Sequence, residues 1–546
     1  MSTTSLTPAD HPTRTVREFR LWMPQWLERW PEGLRVGIFL TLLTALAAFM
    51  RTRYLGGQFW MDEGIAVGIS SHPLTAIPGI LRYDGSPPLY YMLLHIWMSM
   101  LGNGEAATHA LSAVCGVACT PVAYWGIRTV FHNKRMANMG AILFSFNAFL
   151  TDYSQETRMY ALMALLGLFA TIGFLAGFVQ RRRKFVILFA VAQALMLYTH
   201  AWGGFYGLGS FLALILLYRI TPPEERVGLV KDAILAYGGA AVLFLPWLPT
   251  FLYQSTHTAA PWDSSPRFGA PVQLSQNLIG ADSVTAVLVV TSGVGLADLF
   301  VRRGRTTPTA RLMWMLFALP IITLALAWAA SQITPAWVPR YFAPIVAPIL
   351  FLGAMGISRA GVLGAIALVL SVIFLSNPGS FTPQYKSDMK DVAGELGPYL
   401  HPGDLVVVGQ PEQTPLAYYY LPDGHHSLQF ANTMQGIDNQ PSYMDWVDAL
   451  NRYRNEDPFK VVPRILDSLK PGQQLLFIRP MTEGALNWKA PWTELIRLRS
   501  AQWGEIIAAD KQLVQEPGKW APHNYFGACC VADSAVLYKK VSTPHA

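Results

Sequence analysis

Two adjacent carboxylates, Asp62 and Glu63, follow the first long apolar segment of the chain in the stretch GQFWMDEGIAVGIS. A carboxylate pair at that place can act as a general base, ligate a metal ion, or belong to an ordinary solvated loop. Taken alone, the pair favours the solvated loop. A chemical role depends on which other side chains reach the same depth of the membrane.

Further charged and aromatic side chains recur where apolar segments end. Tyr153, Glu156 and Arg158 stand in YSQETRMYAL, and Arg340 and Tyr341 stand in PRYFAP. The guanidinium group of arginine is a planar fork of donors that matches phosphate oxygens. A local Glu–Arg pair and an arginine anchored at the interface are the simpler explanations of these two motifs.

Three more polar candidates lie at similar places. Asp84 and Tyr90 belong to DGSPPLYY, where two prolines fix the chain before an apolar helix, and His200 ends an apolar segment in YTHAWGG. An aromatic belt at the membrane surface explains the tyrosines equally well. A lone histidine is more often structural than chemical.

The elements that position these groups are membrane helices, because the composition is too apolar for a soluble chain of 546 residues. Hydrophobic residues make up 52% of the chain and charged residues 14%, with a mean hydropathy of +0.29. The net charge of +7 comes from short basic clusters between apolar segments, which favours the positive-inside rule over nucleic-acid binding. We predict a polytopic α-helical membrane protein.

Eleven apolar segments are candidate spans, against a requirement of about 20 residues each. They cover residues 34–50, 107–126, 136–151, 160–180, 185–198, 202–218, 233–251, 284–300, 312–330, 343–356 and 361–374. Residues 1–33 precede them without a cleavable signal. Within that segment, residues 16–30 alternate arginine with tryptophan, phenylalanine and leucine, which predicts an amphipathic helix on the cytoplasmic face.

The apolar segment 87–102 is too short to span, since 16 helical residues cover about 24 Å of a hydrocarbon core of about 30 Å. If it crossed the membrane, the basic loop RTVFHNKR would face outside, and later loops would also reverse the positive-inside pattern. We therefore predict a juxtamembrane helix on the outer surface. All the candidate polar residues then lie on the extracytoplasmic side of a bacterial inner membrane.

The composition changes after Phe374. Helix-like segments (SDMKDVAGELGPYL, RILDSLK) alternate with strand-like ones (DLVVVG, QQLLFIRP, SAVLYKKV), which predicts an α/β domain over residues 377–546. An odd number of spans precedes it, so this domain is expected outside, behind a transmembrane domain over residues 34–376. Of the four cysteines, Cys115 and Cys119 favour packing, and a vicinal disulfide between Cys529 and Cys530 is the less favoured arrangement of that pair.

The ordered motifs DE, PPLYY, YSQETRMYAL and PRY resemble those of the bacterial relatives of protein O-mannosyltransferases and of the lipid A aminoarabinose transferase. These enzymes belong to the C-type (GT-C) glycosyltransferases, and the chain looks like a family 39 member over roughly residues 30–376. The resemblance implies eleven to thirteen spans with juxtamembrane helices in the first outer loop. It also implies transfer of a sugar from a polyprenyl-phosphate donor on the outer side of the membrane.

Carried over by position, the resemblance makes Asp62 the catalytic carboxylate and Glu63 its neighbour. It places the donor phosphate and lipid beside Arg158, Arg340, Tyr341 and Tyr153, and the cavity for the acceptor beside Glu156, Asp84, Tyr90 and His200. This chain has Gly85 and Ser86 where the mannosyltransferases have His and the aminoarabinose enzyme has Glu-Lys before the two prolines. That departure puts in question a role for Asp84 and a metal site, and a divalent metal ion stays open as a cofactor.

The implied mechanism is an inverting displacement, in which Asp62 accepts the proton of an acceptor hydroxyl as that oxygen attacks the anomeric carbon. The acceptor is expected to be a glycan, glycolipid or protein of the cell envelope, and arabinose, mannose, glucose and aminoarabinose donors are all compatible. The alternative is a transporter or lipid flippase that uses the carboxylates as a proton or ion relay. That class predicts ionisable residues deep in the spans and broken helices that occur in repeats. The sequence has few ionisable residues in mid-span and shows no such repeat.

Overall fold

The computed structural model describes residues 29–258, 263–301, 307–376, 386–421, 427–482, 489–522 and 532–542. The predicted amphipathic segment 16–30 lies almost wholly outside these residues, and the pair Cys529 and Cys530 lies outside them too. Cys115 and Cys119 carry free thiols inside one helix.

The described chain is mostly helical. Its helices, numbered in chain order, are α1 Glu32–Arg51, α2 Met61–Ser70, α3 Ile77–Asp84, α4 Leu89–Leu101, α5 Glu105–Phe131, α6 Lys134–Phe146, α7 Ala148–Tyr153, α8 Tyr160–Phe174, α9 Arg183–Thr199, α10 Gly203–Ile220, α11 Pro223–Ala233, α12 Gly239–Phe244, α13 Leu248–His257, α14 Ala270–Ile279, α15 Asp282–Val301, α16 Pro308–Ile333, α17 Val346–Arg359, α18 Gly361–Leu375, α19 Met389–Leu396, α20 Thr414–Tyr420, α21 Ala449–Asn455, α22 Pro458–Ser468 and α23 Pro491–Ala509. Two π-helical turns, Leu175–Val179 and Ile234–Gly238, continue α8 and α11, and a 3₁₀ helix, Pro339–Ile345, leads into α17.

Eight helices of the described residues are long and apolar enough to cross a membrane, which confirms a polytopic helical membrane protein. They are Glu32–Arg51, Glu105–Phe131, Tyr160–Val179, Gly203–Ile220, Pro223–Phe244, Asp282–Phe300, Pro308–Ile333 and Pro339–Arg359. The other three predicted spans overlap the shorter helices α6, α9 and α18. Between α6 and α7 the chain breaks at Asn147, because its side chain accepts a hydrogen bond from the Leu150 backbone and caps the next helix.

The loop between α1 and α5 folds into three short helices, α2, α3 and α4. Helix α4 has 13 residues and is about 20 Å long, which is too short for the hydrocarbon core. Its His95 Nδ1 lies 2.8 Å from the Ser70 carbonyl oxygen at the end of α2. This arrangement agrees with the predicted juxtamembrane helices.

The C-terminal residues form a six-stranded sheet with helices on both faces. Its strands are β1 Leu405–Val408, β2 Gln429–Asn432, β3 Gly436–Asp438, β4 Gln474–Pro480, β5 Leu513–Pro522 and β6 Asp533–Lys540. Their order is β3-β2-β1-β4-β6-β5, with β1 parallel to β2 and β4 and the other pairs antiparallel. The predicted α/β architecture is confirmed. In chain order, the five predicted elements overlap α19, β1, α22, β4 and β6.

Helix α20 and the loop that contains Ser442 pack against α2, the helix that carries the two adjacent carboxylates. A Cβ on Gly64 would lie 2.8 Å from the Leu416 Cα of α20, and a Cβ on Gly68 would collide with the Ser442 carbonyl oxygen. These glycines are four residues apart and therefore lie on one face of α2. That face is in backbone contact with the C-terminal unit, by which we mean the six-stranded sheet with its helices and loops.

Candidate active site

Helix α2 fixes the orientation of both carboxylates. The helix begins at Met61, and the Glu63 side chain folds back so that its Oε2 accepts a hydrogen bond from the Trp60 backbone N–H at 3.1 Å. This is half of a capping box, and it satisfies one of the free donors at the start of a helix. Because consecutive helical residues point about 100° apart, Asp62 and Glu63 face different surroundings.

The Asp62 carboxylate meets two arginines from distant parts of the chain. Arg340 Nη2 lies 3.3 Å from Asp62 Oδ2, and Arg158 Nη2 lies 3.9 Å from the same oxygen. Arg158 Nη1 also donates to the Asp62 carbonyl oxygen at 3.2 Å. All three side chains are partly exposed, Asp62 and Arg340 at 22% and Arg158 at 11%, so a ligand can reach the cluster.

Aromatic rings hold the Arg340 guanidinium in place. Its Nε donates to the Tyr160 hydroxyl at 2.9 Å, and its Cζ lies 5.2 Å from the centre of the Trp60 ring and 5.8 Å from that of Tyr341. Cation–π contacts of this kind orient a guanidinium without neutralising its charge. Arg340 therefore keeps its positive charge and a fixed direction in the pocket.

Glu63 is fully buried on the other side of α2, and cationic and neutral donors surround it. His109 Nε2 lies 2.6 Å from Oε1, the Thr157 backbone N–H donates at 2.7 Å, and Lys386 Nζ lies 3.1 Å from Oε1. Burial alone would raise the pKa of Glu63, but Lys386 and His109 lower it to about 2. Both carboxylate oxygens of Glu63 are therefore already occupied by donors.

Replacing Lys386 with methionine should destabilise the protein by about 2 kcal/mol, because it strands the buried Glu63 charge while three other donors remain. Thermal unfolding in detergent measures the loss. In a double-mutant cycle, Glu63→Gln should recover part of it, because the neutral amide no longer needs the ammonium group. If the losses of the two single variants simply add in the double variant, Lys386 and Glu63 do not interact as a pair.

Lys390→Met is the matched control for that cycle. Lys390 Nζ lies 2.6 Å from Glu105 Oε1, but its side chain is 48% exposed. Exposed ion pairs contribute little to stability, so this variant should unfold close to the wild-type temperature. An equal loss in both lysine variants would mean that burial of Glu63 is not the cause.

Two further carboxyls predicted for the cavity lie near the Asp62 cluster. Glu156 Oε2 is buried without a hydrogen-bond partner among the described residues. Burial raises the pKa of Glu156 to about 7, although Lys386 opposes this. Burial likewise raises the pKa of Asp84 to about 6, against a hydrogen bond from Ser86 and the charge of Arg158. Both carboxyls are therefore poised to change protonation near neutral pH.

The remaining predicted residues are placed as follows. The Tyr341 ring lies 4.7 Å from that of His200, whose Nδ1 accepts a hydrogen bond from the Trp202 backbone. The Tyr153 ring lies 5.2 Å from that of Tyr160. These rings gather around Arg340.

Tyr90 differs from the other predicted residues, because it is 1% exposed and its hydroxyl lies 3.0 Å from Ser112 Oγ, in the packed core. Its neighbour Tyr91 accepts a hydrogen bond from Arg158 Nη1 at 3.3 Å. The contact with the arginine therefore comes from the second tyrosine of the motif.

Sequence reasoning missed four residues that build the cluster. Trp60 and Tyr160 stand within GQFWMDEGIAVGIS and YSQETRMYAL, each two residues from Asp62 or Arg158, so this spacing was an available signal. His109 lies near the start of α5, and Lys386 follows the last span, ten residues beyond Ser376. Nothing in the local sequence of either residue indicates that it contacts Glu63.

The charges of this cluster do not fit a metal ion. The Asp62 carboxylate faces two guanidinium groups, and Glu63 faces an ammonium group and an imidazole. Over the part of the chain that the structure describes, no group of three or more His, Cys, Asp or Glu side chains has the arrangement of a metal site. The cluster as built favours an anion.

No protein-family model matches the sequence, and no curated protein matches it. Among solved structures, ArnT from Cupriavidus metallidurans bound to undecaprenyl phosphate has a TM-score of 0.60 at 12% identity, over 93% of this chain and 98% of ArnT. The apo state of ArnT gives 0.57 at 13% identity, over 92% and 98%. Arabinofuranosyltransferase AftD from Mycobacteria gives 0.53 at 13% identity, over 97% of this chain and 41% of AftD. Identities this low show a shared fold, and the chain has the GT-C fold that its motifs predict.

Proposed function

We propose that this GT-C-fold membrane protein is a glycosyltransferase that moves a monosaccharide from a polyprenyl-phosphate donor to a hydroxyl of a cell-envelope acceptor. The observation that carries the proposal is the convergence of Asp62, Arg340 and Arg158, which come from three separate segments, within 3.9 Å at one partly exposed cluster. ArnT, which shares the fold, is a protein whose structure holds undecaprenyl phosphate. A lipid phosphate is the ligand that two convergent arginines suit best.

The donor phosphate would bind by competing with Asp62 for the arginines. Arg158 Nε is buried without a hydrogen-bond partner among the described residues, so one donor is available for a phosphate oxygen. Arg340 keeps its Nε on Tyr160 and can turn its Nη2 from Asp62 to the phosphate. Donor binding would therefore release Asp62 from its resting ion pairs at the moment when a base is needed.

In the proposed step, Asp62 accepts the proton of the acceptor hydroxyl as its oxygen attacks the anomeric carbon. The bond from that carbon to the phosphate oxygen breaks, and configuration inverts. Proton acceptance by a positioned carboxylate contributes about 10² to 10⁴ in rate. The leaving polyprenyl phosphate gains negative charge, which Arg158 and Arg340 stabilise in a site of low dielectric constant.

The charge pattern supports an extracytoplasmic location for this site. Basic residues lie at the other ends of the helices that meet at Asp62: residues 181–184 follow α8 and its π-helical end, and Arg359 ends α17. By the positive-inside rule those ends are cytoplasmic. We assign residues 34–376 to the catalytic domain and residues 377–546 to an extracytoplasmic domain beside it. An acceptor that is a glycan, glycolipid or protein would approach from that side.

A transporter or flippase remains the second candidate class. It would use Asp62, Glu156 and Glu63 as a relay, and the raised pKa of Glu156 is the observation that favours it. Against it, these carboxyls lie at helix ends and in short surface helices rather than deep within a span. A relay through the membrane needs ionisable groups at its centre.

The decisive experiment offers the purified protein a panel of polyprenyl-phosphate sugars, with and without a chelator, and measures released polyprenyl phosphate. Release from at least one sugar, in the presence of a hydroxyl acceptor, is the expected result. If proteoliposomes move polyprenyl-phosphate sugars across the bilayer and release none of the lipid phosphate, the transport class is correct.

A further inference from the structure

A second charged pocket lies one membrane thickness away from Asp62. Helix α8 and its π-helical end run 20 residues from Tyr160, beside Arg340, to Val179, a distance of about 30 Å. This is the thickness of a hydrocarbon core. A cavity of about 480 Å³ opens at the Val179 end, and its polar lining consists of His132, Gln180, Arg181, Arg182, Glu225 and Arg311.

The lining of this cavity is mainly cationic. The lining contains three arginines and one acidic side chain, Glu225, which is exposed, and Asp232 pairs with one of these arginines from outside the lining. Arg182 uses one donor, Nη1, for the Thr129 carbonyl oxygen at 2.9 Å, and its guanidinium lies 4.5 Å above the Phe185 ring. A guanidinium has five N–H donors, so most of those on Arg182 are not committed to that carbonyl.

The backbone conformation and a neighbouring glycine both position Arg181 at the edge of this cavity. Arg181 (φ 60°) and His132 (φ 54°) adopt left-handed conformations that disfavour residues with a Cβ. Arg181 Nη1 pairs with Asp232 at 2.9 Å, and a Cβ on Gly228 would lie 2.5 Å from Arg181 Nη2. Glycine at 228 therefore leaves room for the guanidinium against α11.

We propose that this pocket binds the phosphate group of an anionic membrane lipid. The arginine forks match phosphate oxygens, and Arg311 lies in the first turn of α16, where the helix dipole also favours an anion. The pocket lies at the ends of membrane-crossing helices, at the depth of lipid headgroups, and basic pockets between such helices suit acidic lipids. A lipid is favoured over free phosphate because its chains stay in the adjoining bilayer.

The simpler explanation is that these arginines only cap helix ends and set the topology, as the bond from Arg182 to Thr129 would allow. A double variant that carries Arg182→Gln and Arg311→Gln distinguishes lipid binding from this simpler explanation. Native mass spectrometry of the full chain in detergent would count bound phosphatidylglycerol, with phosphatidylcholine and inorganic phosphate as the comparison ligands. We expect the wild type to prefer phosphatidylglycerol and the double variant to bind it at least about tenfold more weakly.

The matched control is the double variant Arg183→Gln and Lys184→Gln, which removes the same charge from the same surface outside the cavity lining. Arg183 is 78% exposed. This control double variant should retain the preference for phosphatidylglycerol. An equal loss in both double variants, no loss in either, or full displacement of the lipid by inorganic phosphate would overturn the proposal.

Salt provides a test that needs no variant. Raising the ionic strength from about 0.05 M to 0.5 M shortens the screening length several-fold, so the preference of the wild type for phosphatidylglycerol over phosphatidylcholine should weaken. A preference that does not change with salt would contradict recognition by charge, whatever the variants do.

Discussion

The variant Asp62→Asn should insert and fold like the wild type and turn over donor about 10² to 10⁴ times more slowly. Asparagine has the same size and can still accept a hydrogen bond from Arg340, but it cannot take the proton of the acceptor hydroxyl. Initial rates of polyprenyl-phosphate release measure the loss. Donor affinity should hold or rise, because the neutral side chain no longer competes with phosphate for Arg340 and Arg158.

Asp298→Asn is the matched control for that variant. Asp298 pairs with Arg359 at 2.6 Å, in helices α15 and α17, and is not part of the Asp62 cluster. It should keep wild-type turnover. If Asp62→Asn also keeps near-normal turnover, the base lies elsewhere, and Glu156 is then the first residue to examine.

The variant Arg340→Gln should lose about 10² to 10³ in turnover, the usual effect of removing one donor that faces developing charge. Glutamine retains polar contact but not the positive charge that faces the leaving phosphate. The turnover of Arg340→Lys should lie between that of the wild type and that of Arg340→Gln. A lysine keeps the charge, but it lacks the planar fork that lets Nε hold Tyr160 while Nη2 faces the pocket.

Rates measured across donor concentration separate the two parts of this effect. A loss in kcat means that Arg340 acts mainly on the leaving group, and a rise in KM alone means that it only binds donor. Arg359→Gln, which breaks the pair with Asp298, is the control and should change neither constant. An unchanged kcat and KM in Arg340→Gln would remove Arg340 from the site.

Sequence patterns predicted the architecture and the positions that meet. The apolar segments and the basic loops between them predict that these helix ends lie on one side of the membrane. The resemblance to the GT-C enzymes then implied that Asp62, Arg158 and Arg340 meet there. The short segment before Gly102 was assigned to the surface by length and by the loop charges. Both arguments use properties of a segment that do not depend on tertiary packing.

Other parts of the site depend on packing and were not predictable in this way. Lys386 contacts Glu63 across a sequence separation of 323 residues, a pairing that no local pattern encodes. Strands β2 and β3 are four and three residues long, too short for a periodic signal. Tyr90 belongs to a recognised motif, yet it turns to Ser112, and Tyr91 meets the arginine instead.

The glycine face of α2 has a consequence for how such proteins can diversify. Gly64 and Gly68 admit the main chain of the C-terminal unit directly against α2, the helix that carries Asp62. A chimera that exchanges only residues after the last span would place a foreign surface on that helix and shift the carboxylate. Changes in the first outer loop and in the C-terminal residues that touch α2 should therefore be compatible only when they are made together.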